Sequence, residues 1–194
     1  MTNISTLDRQ HTALLIMDYQ NGIVPLAAEK YPDLLDTTAA VLAAARAAGL
    51  KIIYIVVSFR EGYPEVSSRN RPFALARDSG RMLEGHPGTE IHPQVAPRSG
   101  EIVVVKHRVG AFSTTALETI LRAQEITSLV LCGITTRGVV LSTVRWAADM
   151  DYELVVIEDC CADGDEEVHR VLTQKVFPRQ ATVVSAQEII ANLT

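Results

Sequence analysis

The distribution of apolar residues predicts a three-layer α/β domain: a mainly parallel, doubly wound sheet of about six strands with helices on both faces. Three observations carry this. Strand-length apolar runs recur at 13–17, 52–57, 102–105, 129–132, 154–157 and 182–184. Most are continuous and β-branched rather than alternating, as strands covered on both sides should be. Helical patterns stand between them, and strands alternating with helices specify parallel pairing. The 194 residues suffice for one full core and are few for two, so 1–194 is read as a single domain.

The elements follow in order. "ALLIM" (13–17) is the first strand, and "DLLDTTAAVLAAARAAG" (33–49) is a helix with an Ala/Leu face and a Gly stop. "IIYIVV" (52–57) is the second strand. The stretch 58–101 then breaks the pattern. It is rich in Pro, Gly, Ser and Arg with little periodicity, and a connection this long without regular structure is usually a lid or a partner-binding arm. "IVVV" (102–105) follows, and "STTALETILRAQEI" (113–126) opens on cap candidates with Leu117, Ile120 and Leu121 at helical spacing. "LVLC" (129–132) runs through the turn "CGITTRGVV" into the helix "VVLSTVRWAADMD" (139–151). "LVVI" (154–157), "DEEVHRVLTQKVF" (165–177), "TVV" (182–184) and "AQEIIANL" (186–193) complete the chain as strand, helix, strand and helix. There is no internal repeat, low-complexity tract or interdomain linker.

Composition narrows the partners. A net charge of −5 gives no electrostatic basis for binding nucleic acid or an anionic membrane, which leaves small solutes or other proteins. Cys132, Cys160 and Cys161 are odd in number and two are adjacent, so no disulfide framework is expected and a reducing compartment is. "MTNISTLDRQHTALLIMD" has no basic leader region and its apolar run is too short to span a bilayer. A cytoplasmic location is the expectation.

In parallel sheets the ligand sits at the carboxyl ends of the strands, near the point where strand order reverses. Asp18 directly follows the first strand, flanked by apolar wall, where desolvation would raise its pKa; a turn cap on the next residues is the alternative. Lys106 ends the third strand, either snorkelling to the rim or reaching across the crevice. Together, at neighbouring strand ends, they form a candidate catalytic couple in which the ammonium orients the carboxylate. His107, next to Lys106 on a strand, faces the other way and reads as structural. In "CGITTRGVV", backbone N–H groups at a helix start suit an anion, and Gly133 and Gly138 allow close approach. His86 and His92 lack a third ligand at useful spacing, so no metal is expected, and no cofactor. Cys132 reads as packing. Cys160 and Cys161, placed after the fifth strand, have acidic neighbours that would raise a thiol pKa. "GDEE" charges a helix start, and Trp146 and Tyr152 read as packing or interface residues.

Taken together, "ALLIMDYQNGI", "VVVKHRVGAFSTTALETILRAQEITSLVLCGITT" and "STVRWAADMDYELVVIEDCCAD" resemble the isochorismatase-like hydrolases, in order and over nearly the whole chain. The resemblance implies that family's α/β hydrolase fold and a homo-oligomer, a dimer or larger. In amidase members an Asp, a Lys and a Cys form a triad. Asp18 and Lys106 match the first two, and the cysteine position, six residues after Gly133, is Val139. The resemblance also implies a cis peptide between Ile134 and Thr135. Valine cannot attack a carbonyl. One reading is then the branch that cleaves a vinyl ether, with a protonated Asp as acid. A small-molecule-binding or scaffold protein is the second, and an amidohydrolase with a displaced cysteine the third. On the first reading the substrate is a small carboxylate-bearing molecule. Thr135, Val139 and Gly138 cradle an anion, and Gln20, Arg108, Phe112 and Arg137 contact the substrate, with Arg137 pairing its carboxylate.

Overall fold

The computed structural model describes residues 7–193. In chain order the elements are β1 (Thr12–Met17), α1 (Pro25–Ala28), α2 (Leu34–Ala47), β2 (Lys51–Val57), α3 (Arg71–Asp78), β3 (Ile102–Lys106), α4 (Leu117–Ala123), β4 (Ser128–Ile134), α5 (Leu141–Asp149), β5 (Glu153–Ala162), α6 (Glu166–Val171), β6 (Thr182–Val184) and α7 (Ala186–Leu193). The six strands form one parallel sheet in the order β3-β2-β1-β4-β5-β6. The chain winds outward from β1 to β3, returns to the centre at β4, and winds out the other way. Strand order therefore reverses between β1 and β4. Both central strands are buried along their whole length, which explains their unbroken apolar runs. No helix among the described residues is long and apolar enough to cross a membrane.

The last helix, α7, keeps its expected bounds, while others are shorter than their sequence patterns. Of 113–126, only Leu117–Ala123 is α-helical; Thr115 Oγ1 accepts the Leu117 N–H at 3.2 Å and starts it late. Of 139–151, the first turn widens into a π turn (Thr136–Val140) before α5, and α6 likewise runs into one (Leu172–Val176). Asp165 caps α6, accepting from Glu167 and Val168 N–H, with Glu166 and Glu167 complementing the positive helix start.

The arm 58–101 is more ordered than its sequence suggests. It holds the eight-residue helix α3, entered through Pro72, and two short 3₁₀ turns. Phe59, Tyr63 and Phe73 form its aromatic nucleus, with the Phe59 and Phe73 rings edge-on at 5.1 Å. Eight residues with apolar positions interrupted by Arg and Pro give too weak a period to read as a helix.

Two residues expected to touch substrate belong to this frame instead. Gln20 is fully buried. Its Nε2 donates to the carbonyls of Val57 (2.9 Å) and Thr89 (2.8 Å), and its Oε1 accepts the Val57 N–H at 2.8 Å. It thus replaces a missing ladder partner at the end of β2 and ties the arm down. Phe112 lies parallel to Trp146 (centroids 6.4 Å, planes 6° apart) and beside Tyr152, packing the loop after β3 against α5. An aromatic or amide near a site motif gives no sequence signal that separates frame from contact.

Gln20→Ala would orphan two buried backbone groups and one partly buried one, and is expected to cost about 3 kcal/mol in urea unfolding. Gly133 faces Met17 across the β1–β4 pair, and a Cβ there would stand 2.9 Å from Met17 Cβ and Met17 O. Gly133→Ala should therefore lower stability by about 1–3 kcal/mol; an unchanged denaturation midpoint in either variant would contradict these packing assignments.

Candidate active site

The site begins where β1 ends. Asp18 has φ +60°, a left-handed conformation that Asp tolerates better than most residues, and its N–H donates to Ile55 O at 2.8 Å. That turn projects the carboxylate over the carboxyl edge of the sheet. Lys106 ends β3, which is not the neighbour of β1: β2 lies between them, and Val57 is the register partner of Lys106. The Lys side chain reaches across the end of β2, placing Nζ 2.9 Å from Asp18 Oδ2. Only a long side chain closes that gap. Nζ also donates to Arg108 O at 3.1 Å.

This ion pair is almost dry, with side-chain exposures of 2% for Lys106 and 7% for Asp18. Asp18 Oδ1 is buried and accepts no hydrogen bond from the described residues. Burial pushes the Asp18 carboxyl above the usual carboxylate range, and the Lys106 ammonium opposes that shift without cancelling it. The result is a carboxyl group with one oxygen held and one bare.

The second half of the site is the turn after β4. The Ile134–Thr135 peptide is cis. Thr135 O accepts the N–H groups of Gly138 (3.1 Å) and Val140 (3.3 Å), which closes the wide turn. The Gly138 N–H is therefore occupied, and what this residue provides is space: a Cβ would stand 2.7 Å from Thr135 Oγ1. Two contacts from beyond β5 pin the same turn. His169 Nδ1 shares a 2.8 Å hydrogen bond with the buried Thr136 hydroxyl, and Asp163 Oδ2 accepts the Arg137 N–H at 2.8 Å.

Between these halves lies a cleft of about 480 Å³, of the size that holds small-molecule ligands. Asp18, Lys106, Thr135, Arg137, Gly138 and Val139 line it together. Ile23 just before α1, Leu26 within it, Val57, Val109 and Ile134 complete apolar walls, and Pro72 and Phe73 of α3 lie over one side. Sequence reasoning missed these walls, and also Asp163 and His169; periodicity does not distinguish an apolar residue in a wall from one in the core. The arm thus contributes to the cleft of its own chain. Arg108 offers the site only its carbonyl. Its guanidinium donates to Glu65 O and His107 O and faces an adjoining concavity beside Arg69 and Arg71, which corrects its expected contact within the cleft. His107, bonded through Nδ1 to Ser58 O, is structural.

No cysteine lines the cleft. Cys160 and Cys161 lie within β5 rather than after it, and all three thiols are buried. Burial pushes the Cys160 thiol up to about 12 and holds those of Cys132 and Cys161 well above their ordinary value. Among the described residues no group of three His, Cys, Asp or Glu is placed to share a metal ion.

This chain has relatives among known proteins. The Isochorismatase domain model matches residues 12–188. The isochorismatase family protein YecD of Escherichia coli is 30% identical, over 95% of this chain and 97% of that protein. Maleamate amidohydrolase of Pseudomonas putida is 26% identical, over 93% of this chain and 86% of that protein. The crystal structure of a cysteine hydrolase from Pseudomonas syringae superposes with a TM-score of 0.90 at 23% identity, over 98% of this chain and 95% of that one, a likeness of fold. A domain match running from β1 into α7, on a sheet that carries the Asp–Lys pair at its carboxyl edge, places this chain in the isochorismatase family of hydrolases.

Proposed function

We propose that this protein hydrolyses a small carboxylate-bearing molecule without a covalent intermediate, with Asp18 as the proton donor. The observation that supports this reading best is the bare Oδ1 of Asp18, buried in an apolar cleft while Lys106 holds Oδ2. A carboxyl group whose pKa is raised by burial is the one side chain in this cleft equipped to give up a proton to carbon.

With a vinyl ether as substrate, Asp18 transfers its proton to the terminal methylene carbon, leaving an oxocarbenium ion and an Asp18 carboxylate stabilised by Lys106. Water adds to the cationic carbon and returns a proton to Asp18. The resulting hemiketal collapses to a ketone and an alcohol, so that one water is consumed. The Arg137 guanidinium pairs with the substrate carboxylate, and the backbone at Thr135 and Val139 cradles the negative end.

Maleamate amidohydrolase among the relatives raises amide cleavage as an alternative. Against it stands Val139, aliphatic and on the cleft wall where the family resemblance puts a cysteine, together with three buried, strongly protonated thiols. A displaced thiol therefore has no support. The same Val139 favours a second reading, a protein that binds small acids without turnover.

Three outcomes separate these readings. In a screen of enol ethers, amides and ureides, Asp18→Asn should lose turnover by on the order of 10²–10⁴-fold while remaining folded by circular dichroism; equal turnover in the variant removes the acid role. Because Asp18 acts protonated, kcat/KM should fall as pH rises through its raised pKa. Lys106→Met removes the one influence that lowers this pKa, so the alkaline limb should move to higher pH. A limb that stays put or moves down would count against the pair. Iodoacetamide should leave the folded wild type unlabelled and modify Val139→Cys; rapid labelling of the wild type would revive the displaced-thiol mechanism.

A further inference from the structure

Asp163 directly follows β5, and its carboxylate is fully buried. Proton transfer from Asp18 makes no use of it. Both its oxygens nevertheless turn toward one residue of the cleft wall. Oδ2 accepts the backbone N–H of Arg137 at 2.8 Å, and Oδ1 lies 3.0 Å from Arg137 Nε while accepting the Asp165 N–H at 3.2 Å. A buried carboxylate requires compensation, and here Arg137 supplies a main-chain hydrogen bond and the positive charge of its side chain.

The two contacts hold Arg137 at both ends of its aliphatic stem. They also choose which donors remain. A guanidinium carries five N–H groups, and pairing through Nε leaves those on Nη1 and Nη2. Among the described residues no hydrogen bond engages either Nη, and the side chain remains 52% exposed on the cleft wall. Nη2 passes Gly164 at van der Waals distance, 3.7 Å from where a Cβ would stand. Lys30 Nζ donates to Gly164 O at 2.7 Å and steadies that strip of backbone from the other side. Two parallel N–H donors held on a half-open wall match the two oxygens of a carboxylate. Holding the Arg beforehand removes ordering that the ligand would otherwise have to impose.

We propose that Asp163 is a positioning residue. It presents the Nη pair of Arg137 to a ligand carboxylate and so sets the preference of the cleft for small acids over their neutral counterparts. This rests on the reading of Arg137 given under Proposed function and adds the residue that makes the recognition directional. Asp163 never touches the ligand.

The test uses succinamate and its uncharged twin succinamide, titrated calorimetrically into wild type, Arg137→Gln, Arg137→Lys, Asp163→Asn and the Arg137→Gln/Asp163→Asn double variant. Wild type should bind succinamate about tenfold more tightly than succinamide. Asp163→Asn should weaken succinamate by about tenfold and leave succinamide unchanged. In the Arg137→Gln background it should add nothing. Arg137→Lys keeps the charge but has no Nε for Asp163 to hold, and it should lose the preference too. This last arm decides the question if Asp163→Asn proves not to fold by circular dichroism. No preference in wild type, equal losses for both ligands, an additive double variant, or Arg137→Lys binding like wild type would each overturn the proposal. The titrations need no turnover. An inactive wild type that still prefers succinamate refutes the hydrolytic reading alone, and an active one without preference refutes this inference alone.

Discussion

The Asp18–Lys106 ion pair is the constraint around which the carboxyl edge of the sheet is arranged. Removing two charges from water costs several kcal/mol each, and a buried pair recovers this only with good geometry and further hydrogen bonds. Lys106 meets those terms, with a carboxylate oxygen and the Arg108 carbonyl as acceptors. Asp18 meets them by half, since Oδ1 is left bare. A fold selected for stability alone would place an apolar pair here. Keeping an incompletely satisfied carboxyl at the strand-order reversal, under the cover of α3, gives up stability at the point where a reactive group is useful.

The turn after β4 is held from a different quarter. Its closing bonds are its own, but its orientation depends on the corner between β5 and α6, through the His169–Thr136 and Asp163–Arg137 contacts. The side of the cleft that carries the ion pair, on β1 and β3, is thus fixed by different contacts from the side formed by the turn, on β4 and β5. The two are joined beneath the cleft by the β1–β4 pair, where Gly133 faces Met17.

Much of this was legible in the residues. Six apolar runs located six strands because both faces of the sheet are covered, and continuous β-branched runs of this length seldom fold as anything but covered strands. Asp18 and Lys106 stood out because a charged residue immediately after four or five apolar ones must either end a strand or be buried at a cost. What escaped were features set by contacts distant in sequence. The amide of Gln20 serves the ladder because β2 ends at Val57 beside it, and no local pattern encodes that. Arg108 turns away because Glu65 O, 43 positions upstream, lies on its other side. The bond from Lys106 to Asp18 crosses an intervening strand, which only the sheet order makes visible. Cys160 and Cys161 fell inside β5 because that strand runs past its apolar core, through Glu158 and Asp159, as far as Ala162.

The chain has a single tryptophan, Trp146, on α5 shortly after the π turn. Its indole is partly open to water and lies parallel to the Phe112 ring. One emitting ring therefore sits on the helix that the cleft-lining turn leads into. Its fluorescence reports from a single known address, so shifts of that helix during ligand occupancy can be followed optically, with no label added and no second indole to confuse the signal.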